Sequence, residues 1–85
     1  MEERILNGIK LVDGLIKTFE EEIKNYPHKQ IYSIGIEFSK LRDCIFTSYE
    51  TDRFIKHFNK NYFEVFAEDD YLKQLKIYTV RRISN

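Results

Sequence analysis

The chain has 85 residues, enough for one small domain, and its fourteen basic side chains are balanced by fourteen acidic ones. A net charge of zero argues against a dedicated nucleic-acid binder, which needs a positive excess, and equally against an acidic mimic of DNA. The single cysteine excludes an internal disulfide and gives no support to a secreted, disulfide-bonded scaffold.

The start of the sequence lacks the features of a secretory signal, because Glu2 and Glu3 stand where such a signal carries positive charge. No apolar run approaches the roughly 18 residues that a membrane-spanning helix needs. We therefore expect a cytoplasmic protein with no membrane partner. The abundance of Ile, Lys, Asn and Tyr indicates an AT-rich coding genome, and hence a low-GC bacterium or its phage.

An apolar residue recurs at every third or fourth position of the first quarter of the chain, a spacing that an α-helix turns into one face. The stripe consists of Ile5, Ile9, Val12, Ile16, Phe19, Ile23 and Tyr26. It predicts an amphipathic helix over about 2–25, which Pro27 ends. The first six residues of the stripe are a candidate self-association seam, and we predict a homodimer. Gly8 and Gly14 are unfavourable inside a helix, so they either admit a close backbone approach or mark a kink.

The next elements read as a β-hairpin followed by a second helix. Clean alternation predicts a half-buried strand over 31–38, with Tyr32, Ile34, Ile36 and Phe38 on one face. A loop over 39–43 and a second strand over 44–48 complete the predicted hairpin. Thr47 and Glu50 have the spacing of a capping box, in which the first residue caps a helix and the second reaches back to it. Apolar residues at helical spacing follow, so the second helix is predicted over 48–60.

The C-terminal quarter is less clearly patterned. Residues 62–66 suit a short strand, and 68–70 form either a turn or the first turn of a short helix through Leu75. A final strand is predicted over 75–82 from its alternation and its β-branched and aromatic residues. The predicted fold is a single α+β domain over residues 1–85, ordered α-β-β-α-(β)-β, with the helices on one face of a small antiparallel sheet.

The sequence offers little material for catalysis or for a bound metal. A nucleophilic pair of Cys44 and His57 lacks a third, orienting group, and one cysteine cannot build a structural zinc site. The carboxylates of 68–70 lack the spacing of a calcium loop, and the three glycines are too scattered for a phosphate loop. We expect a non-enzymatic protein with no catalytic, cofactor or metal site.

A basic surface is the best candidate for binding, and its alternative is an ordinary solvated face. Four of its residues fall on one side of the second helix and three come from the final strand. They are Arg53, Lys56, His57, Lys60, Lys76, Arg81 and Arg82. Such a patch suits phosphates or an acidic protein.

The predicted hairpin and capped helix, Cys44–Glu50 leading into Phe54–Phe58, resemble the layout of some small phage-encoded inhibitors of a CRISPR nuclease. The resemblance covers less than half of the chain, is one of layout alone, and transfers no functional residue. It departs from those inhibitors that mimic DNA, since they are strongly acidic and this chain is neutral. It adds host-defence inhibition to the functions considered.

Two functions therefore follow from the sequence. The first is a small protein-binding module, in more specific form a phage or mobile-element regulator or inhibitor of a host protein. The alternative is a nucleic-acid-binding protein that uses the basic face of the second helix and the C-terminal tail as a homodimer. Salt separates the two, because phosphate contacts weaken steeply as its concentration rises, whereas an apolar interface changes little.

Overall fold

The predicted α+β fold is confirmed by a computed structural model, which describes residues 2–83. Its elements are α1 (Glu3–Asn25), β1 (Ile31–Glu37), α2 (Phe38–Leu41), α3 (Ser48–Asn59), β2 (Phe63–Asp70) and β3 (Leu75–Arg82). The long first helix, the capped helix and the last strand lie within two residues of their predicted bounds. The single turn of α2 replaces part of a predicted loop.

The three strands form one antiparallel sheet in the order β1–β3–β2. Helix α1 packs on β1, α3 packs on β2, and the two helices contact each other. The sheet face beneath the helices includes Tyr32 and Val80, which lie opposite each other in the β1–β3 register and are both buried. Strand β1 thus keeps its predicted orientation, with Tyr32, Ile34 and Ile36 toward the helices.

One hydrophobic core joins the helices to the sheet. Its buried members are Val12, Leu15, Ile16, Phe19, Tyr32, Phe54, Phe58, Phe63 and Val80. Phe19 of α1 is fully buried, and its ring centroid lies 6.2 Å from that of Phe54 and 5.9 Å from that of Phe58. Tilted and edge-to-face contacts of this kind add to the free energy gained by burying the rings. The aromatic side chains therefore fix α1 against α3.

The predicted hairpin between 31–38 and 44–48 is wrong, because the hairpin of this fold is formed by β2 and β3. Residues 44–47 lie outside every helix and strand of the described chain. Instead, the Ile45 N–H donates to the Arg4 carbonyl at the start of α1, with an N···O distance of 2.9 Å. A Cβ atom on Gly8 would lie 2.2 Å from the Ile45 carbonyl oxygen. Gly8 thus admits a close backbone approach, one of its two predicted roles, and this segment docks on a helix.

The N-cap half of the capping-box prediction is confirmed at the start of α3, where the Thr47 hydroxyl accepts a hydrogen bond from the Glu50 N–H. The reciprocal half is wrong, because the Glu50 carboxylate accepts hydrogen bonds from Arg53 and does not reach back to Thr47. At the other end of the chain, β2 runs past its predicted limit to Asp70. Four residues, 71–74, then turn the chain into β3, and Gln74 takes a left-handed backbone conformation with φ of 56°. Both alternatives predicted for 68–70 are therefore wrong, because these residues form the end of β2 and the turn lies at 71–74.

Candidate protein interface

Two of the four helical residues of the predicted basic face contact carboxylates of this chain. Arg53 donates two 2.7 Å hydrogen bonds to the Glu50 carboxylate and lies 2.8 Å from a carboxylate oxygen of Asp13. His57 Nε2 lies 2.7 Å from a carboxylate oxygen of Glu20. Because Asp13 and Glu20 belong to α1, these contacts tie α3 to α1.

Glu50 and Arg53 form a charged pair in which each partner shifts the pKa of the other. Glu50 is 4% exposed, and the hydrogen bonds from Arg53 hold the pKa of its carboxyl below the ordinary value. The same bonds raise the pKa of Arg53. Burial opposes both ionised forms, but the paired contacts outweigh it. This arrangement is that of a structural ion pair at the base of a helix.

The strand half of the predicted basic face is also engaged within the chain. Lys76 lies 3.0 Å from Asp69, and Arg81 pairs with Glu64. Arg82 donates to the carbonyl oxygens of the turn after α1. Since side chains alternate along a strand, Arg81 also points to the opposite sheet face from Lys76 and Arg82. The structure therefore does not bring the seven residues into one patch.

Two residues of the predicted basic face, Lys56 and Lys60, form neither an ion pair nor a side-chain hydrogen bond within residues 2–83. Both are exposed and line a shallow depression of α3 together with Arg53 and His57. The structure thus places the four helical residues of the predicted face together, and two of them have no ionic partner within residues 2–83.

The candidate self-association seam lies mostly inside the molecule. Val12, Ile16 and Phe19 belong to the core, and Ile5, Ile9 and Ile23 are half-buried. The central part of the stripe is covered by the sheet and by α3, so a second copy could reach it only if the core opened. The homodimer remains a prediction, but these central side chains do not form an exposed seam.

A groove of about 500 Å³ lies on the other flank of α1. Its apolar floor includes Leu11 and Leu15 of α1 and Ile34 and Ile36 of β1. Successive helical residues are rotated by about 100°, so the α1 positions that line the groove, among them Gly14, lie away from those that meet α3. The groove therefore opens on the β1 side of the helix layer.

The outer edge of β1 borders this groove and carries unpaired backbone groups. In an antiparallel pair, alternate residues direct their N–H and C=O groups toward the partner strand. The Arg82 N–H donates to the Gln30 carbonyl, so the even-numbered residues of β1 face β3. The odd-numbered residues Ile31, Ser33 and Gly35 face outward, and no backbone group of residues 2–83 pairs with them. Glu37 also faces outward, but it is the N-cap of α2, and its carbonyl accepts the first hydrogen bond of that helix.

The two edges of the sheet differ in their protection against a further strand. Four of the eight β2 residues are acidic, and charges of this kind are the ordinary protection of a free edge. Strand β1 reads Ile-Tyr-Ser-Ile-Gly-Ile-Glu, with no charge before Glu37 and no proline. An unprotected edge beside an apolar groove is suited to receive an extended chain.

The sequence interpretation missed this site because the predicted hairpin gave β1 a neighbour in 44–48 and so assigned its backbone groups a partner. Two signals were present. Gly14 stands in the middle of a helix, where glycine is unfavourable, and β1 lacks the charges that protect an edge. Read together, they mark the open flank of α1 and the strand beside it.

Comparisons with known proteins give no relative: no family model, curated protein or solved structure matches the chain. Within residues 2–83, no helix combines the length and apolar character needed to cross a membrane. The same residues contain no group of three or more His, Cys, Asp or Glu side chains placed to hold a metal ion. The geometry of the groove and its bordering strand is therefore the basis for a functional proposal.

Proposed function

We propose that the protein is a non-enzymatic binding module that adds an extended segment of a partner protein to the outer edge of β1. The observation that carries this proposal is the position of the unpaired β1 edge alongside the apolar groove of α1. An added strand gains main-chain hydrogen bonds from the edge, and its alternate side chains enter the groove. The first interaction supplies affinity for any extended chain, and the second supplies selectivity.

Protein binding is favoured over the nucleic-acid alternative by the state of the basic side chains. Five of the seven predicted cationic residues already contact acidic or carbonyl groups of this chain. Phosphate binding would have to displace those contacts, whereas the groove and the β1 edge need no rearrangement. Binding by the proposed route is expected to change little with salt concentration.

The proposal for the biological setting rests on the amino-acid sequence. We propose a cytoplasmic protein of a low-GC bacterium or its phage, acting as a regulator or as an inhibitor of a host protein. The composition supports this setting. The hairpin on which the resemblance to CRISPR nuclease inhibitors rested is not formed, so that resemblance no longer supports host-defence inhibition.

The proposal is tested by selecting binders from displayed random peptides of about nine residues, long enough to cover one strand. Ser33→Pro removes an outward N–H from the middle of the β1 edge, and proline is tolerated on edge strands. Ala67→Pro is the control for a proline on an edge strand, because Ala67 is an exposed residue of β2 whose N–H also points outward. Ser33→Ala, which should still bind, is the control for the hydrogen bond between the Ser33 and Thr79 hydroxyls that Ser33→Pro also removes.

We expect the wild-type chain and Ala67→Pro to bind the selected peptides and Ser33→Pro to lose them. Circular dichroism of both variants establishes that each remains folded. Failure to enrich any peptide, or equal binding by Ser33→Pro and the wild type, would overturn the proposed function.

A further inference from the structure

We infer that Gly14 determines specificity: the partner segment places an aliphatic side chain over Gly14 and a carboxylate beside Lys10 and Lys40. This inference rests on the proposed function, since it names the chemistry of the strand that β1 receives. Its basis is the contrast between the two glycines of α1 and the charge at the rim of the groove.

The glycine at position 14 has no packing role within the described chain. A Cβ atom at Gly8 would collide with the Ile45 carbonyl, which explains that glycine, but a Cβ at Gly14 meets nothing within 4 Å. Glycine in a helix interior is less favourable than alanine, and the backbone at Gly14 does not require a positive φ. No contact within the described chain compensates for the unfavourable free energy of this glycine in the helix.

The location of Gly14 indicates that the glycine provides space in the wall of the groove. Gly14 lines the groove between Lys10 and Thr18, which lie one helical turn before and after it on the same flank. Leu11 and Leu15 border it toward the sheet. The missing side chain therefore leaves a notch in the helix wall, with an apolar lower side, that accepts a branched aliphatic side chain.

The charge of the rim selects an acidic neighbour for that side chain. Lys10 and Lys40 both line the groove, and neither forms an ion pair within residues 2–83. Asp43 is the one acidic residue among those that line it, so the rim carries a net positive charge. A carboxylate on the added strand complements this charge.

A second copy of the chain does not fit this site through its own β1. The β1 side chains on the helix face, Tyr32, Ile34 and Ile36, already contact the core of their own molecule. They cannot also enter the groove of a neighbour. The notch over Gly14 therefore requires a segment that is not already part of a folded sheet.

The test uses the peptide most enriched by the wild-type chain and measures its affinity for two variants. Gly14→Leu fills the notch, and we expect it to weaken binding at least tenfold, or about 1.4 kcal/mol. Lys17→Leu is the matched control, because it adds the same side chain to an exposed α1 position outside the groove. We expect it to bind like the wild type. A peptide variant with its carboxylates changed to amides is expected to bind more weakly to the wild type.

The outcomes separate this inference from the proposed function. Binding that is lost in Ser33→Pro but unchanged in Gly14→Leu would overturn the role of Gly14 and leave strand addition in place. A peptide whose carboxylates make no difference would overturn the acidic neighbour. A dimeric mass in light scattering that Ser33→Pro reduces to a monomer would show that a second copy occupies the edge, and would overturn the inference.

Discussion

The ion pair of Glu50 and Arg53 shows how single residues commit the charges of this small protein to its fold. Glu50 is almost fully buried, yet both of its carboxylate oxygens accept hydrogen bonds from Arg53. A buried charge that loses its partner is strongly unfavourable, because its desolvation is no longer compensated. Arg53, a residue of the predicted basic face, thus stabilises the fold through its contact with Glu50.

The lowered pKa of Glu50 predicts that the free energy of unfolding falls in acid. A carboxyl whose pKa is lower in the folded than in the unfolded state stabilises the fold above its unfolded value of about 4.5, and that stabilisation is lost as the pH falls through the folded pKa. Glu50→Gln removes this component and should flatten the acid limb of the free energy of unfolding below about pH 5. Urea denaturation across this range measures the effect.

Glu68→Gln is the control for this prediction, because Glu68 is exposed and forms no ion pair within residues 2–83. Its acid limb should follow that of the wild type. If Glu50→Gln kept the full acid limb, the assignment of that limb to Glu50 would be wrong.

The two glycines of α1 make a matched pair for measurements of stability. Gly14→Ala should raise the free energy of unfolding by about 0.5–1 kcal/mol, because it removes the entropic cost of glycine in a helix and meets open space. Gly8→Ala should lower it by about 1–3 kcal/mol, because its Cβ forces the Ile45 backbone away from α1. Thermal melting followed by circular dichroism compares them, and a loss of stability in Gly14→Ala would show that Gly14 has an unrecognised structural role.

At the scale of elements, α1 serves the core of its own chain through its apolar stripe. Phe19→Glu is therefore expected to unfold the domain, because it places a charge without a partner at a fully buried site between α1 and α3. Circular dichroism and light scattering report the result together. A folded monomer would contradict this expectation and would support the predicted role of the stripe as a seam between two copies.

Patterns that act over a few residues were sufficient to predict most of the elements. The stripe of α1, the alternation of β1 and the Thr47–Glu50 cap each specify a local structure through side-chain spacing or a nearby hydrogen bond. The sequence also predicted which face of β1 is buried. These features do not depend on which distant segment becomes a neighbour.

The errors arose where a segment had to select a distant partner. Residues 44–47 have the composition of a strand, but the open backbone at Gly8 gives them a docking place on α1. Strand β3 then takes the central place beside β1, in a ladder that runs from Ile31 paired with Arg81 to Glu37 paired with Leu75 and so joins distant parts of the chain. Because local sequence patterns do not encode that choice, the prediction paired β1 with 44–48 and left unused the two signals of the open flank, Gly14 and the uncharged β1 edge.

At the scale of the whole molecule, charged side chains have different roles in different parts of the structure. Ion pairs hold α3 to α1 and join β2 to β3, so much of the charge stabilises the fold. The edge of β2 retains acidic residues that discourage a further strand, and the edge of β1 does not. This asymmetry directs strand addition to one side of the sheet, where the groove also lies.

Amide hydrogen exchange by NMR, with and without the most enriched peptide, tests this claim most directly. In the free monomer, the amides of Ile31, Ser33 and Gly35 should exchange fast, and those of Tyr32 and Ile34 should be protected by their bonds to β3. The peptide should slow the exchange of the first set alone. If those amides were protected in the free monomer, or stayed unprotected in the saturated complex, the β1 edge would not be the binding site.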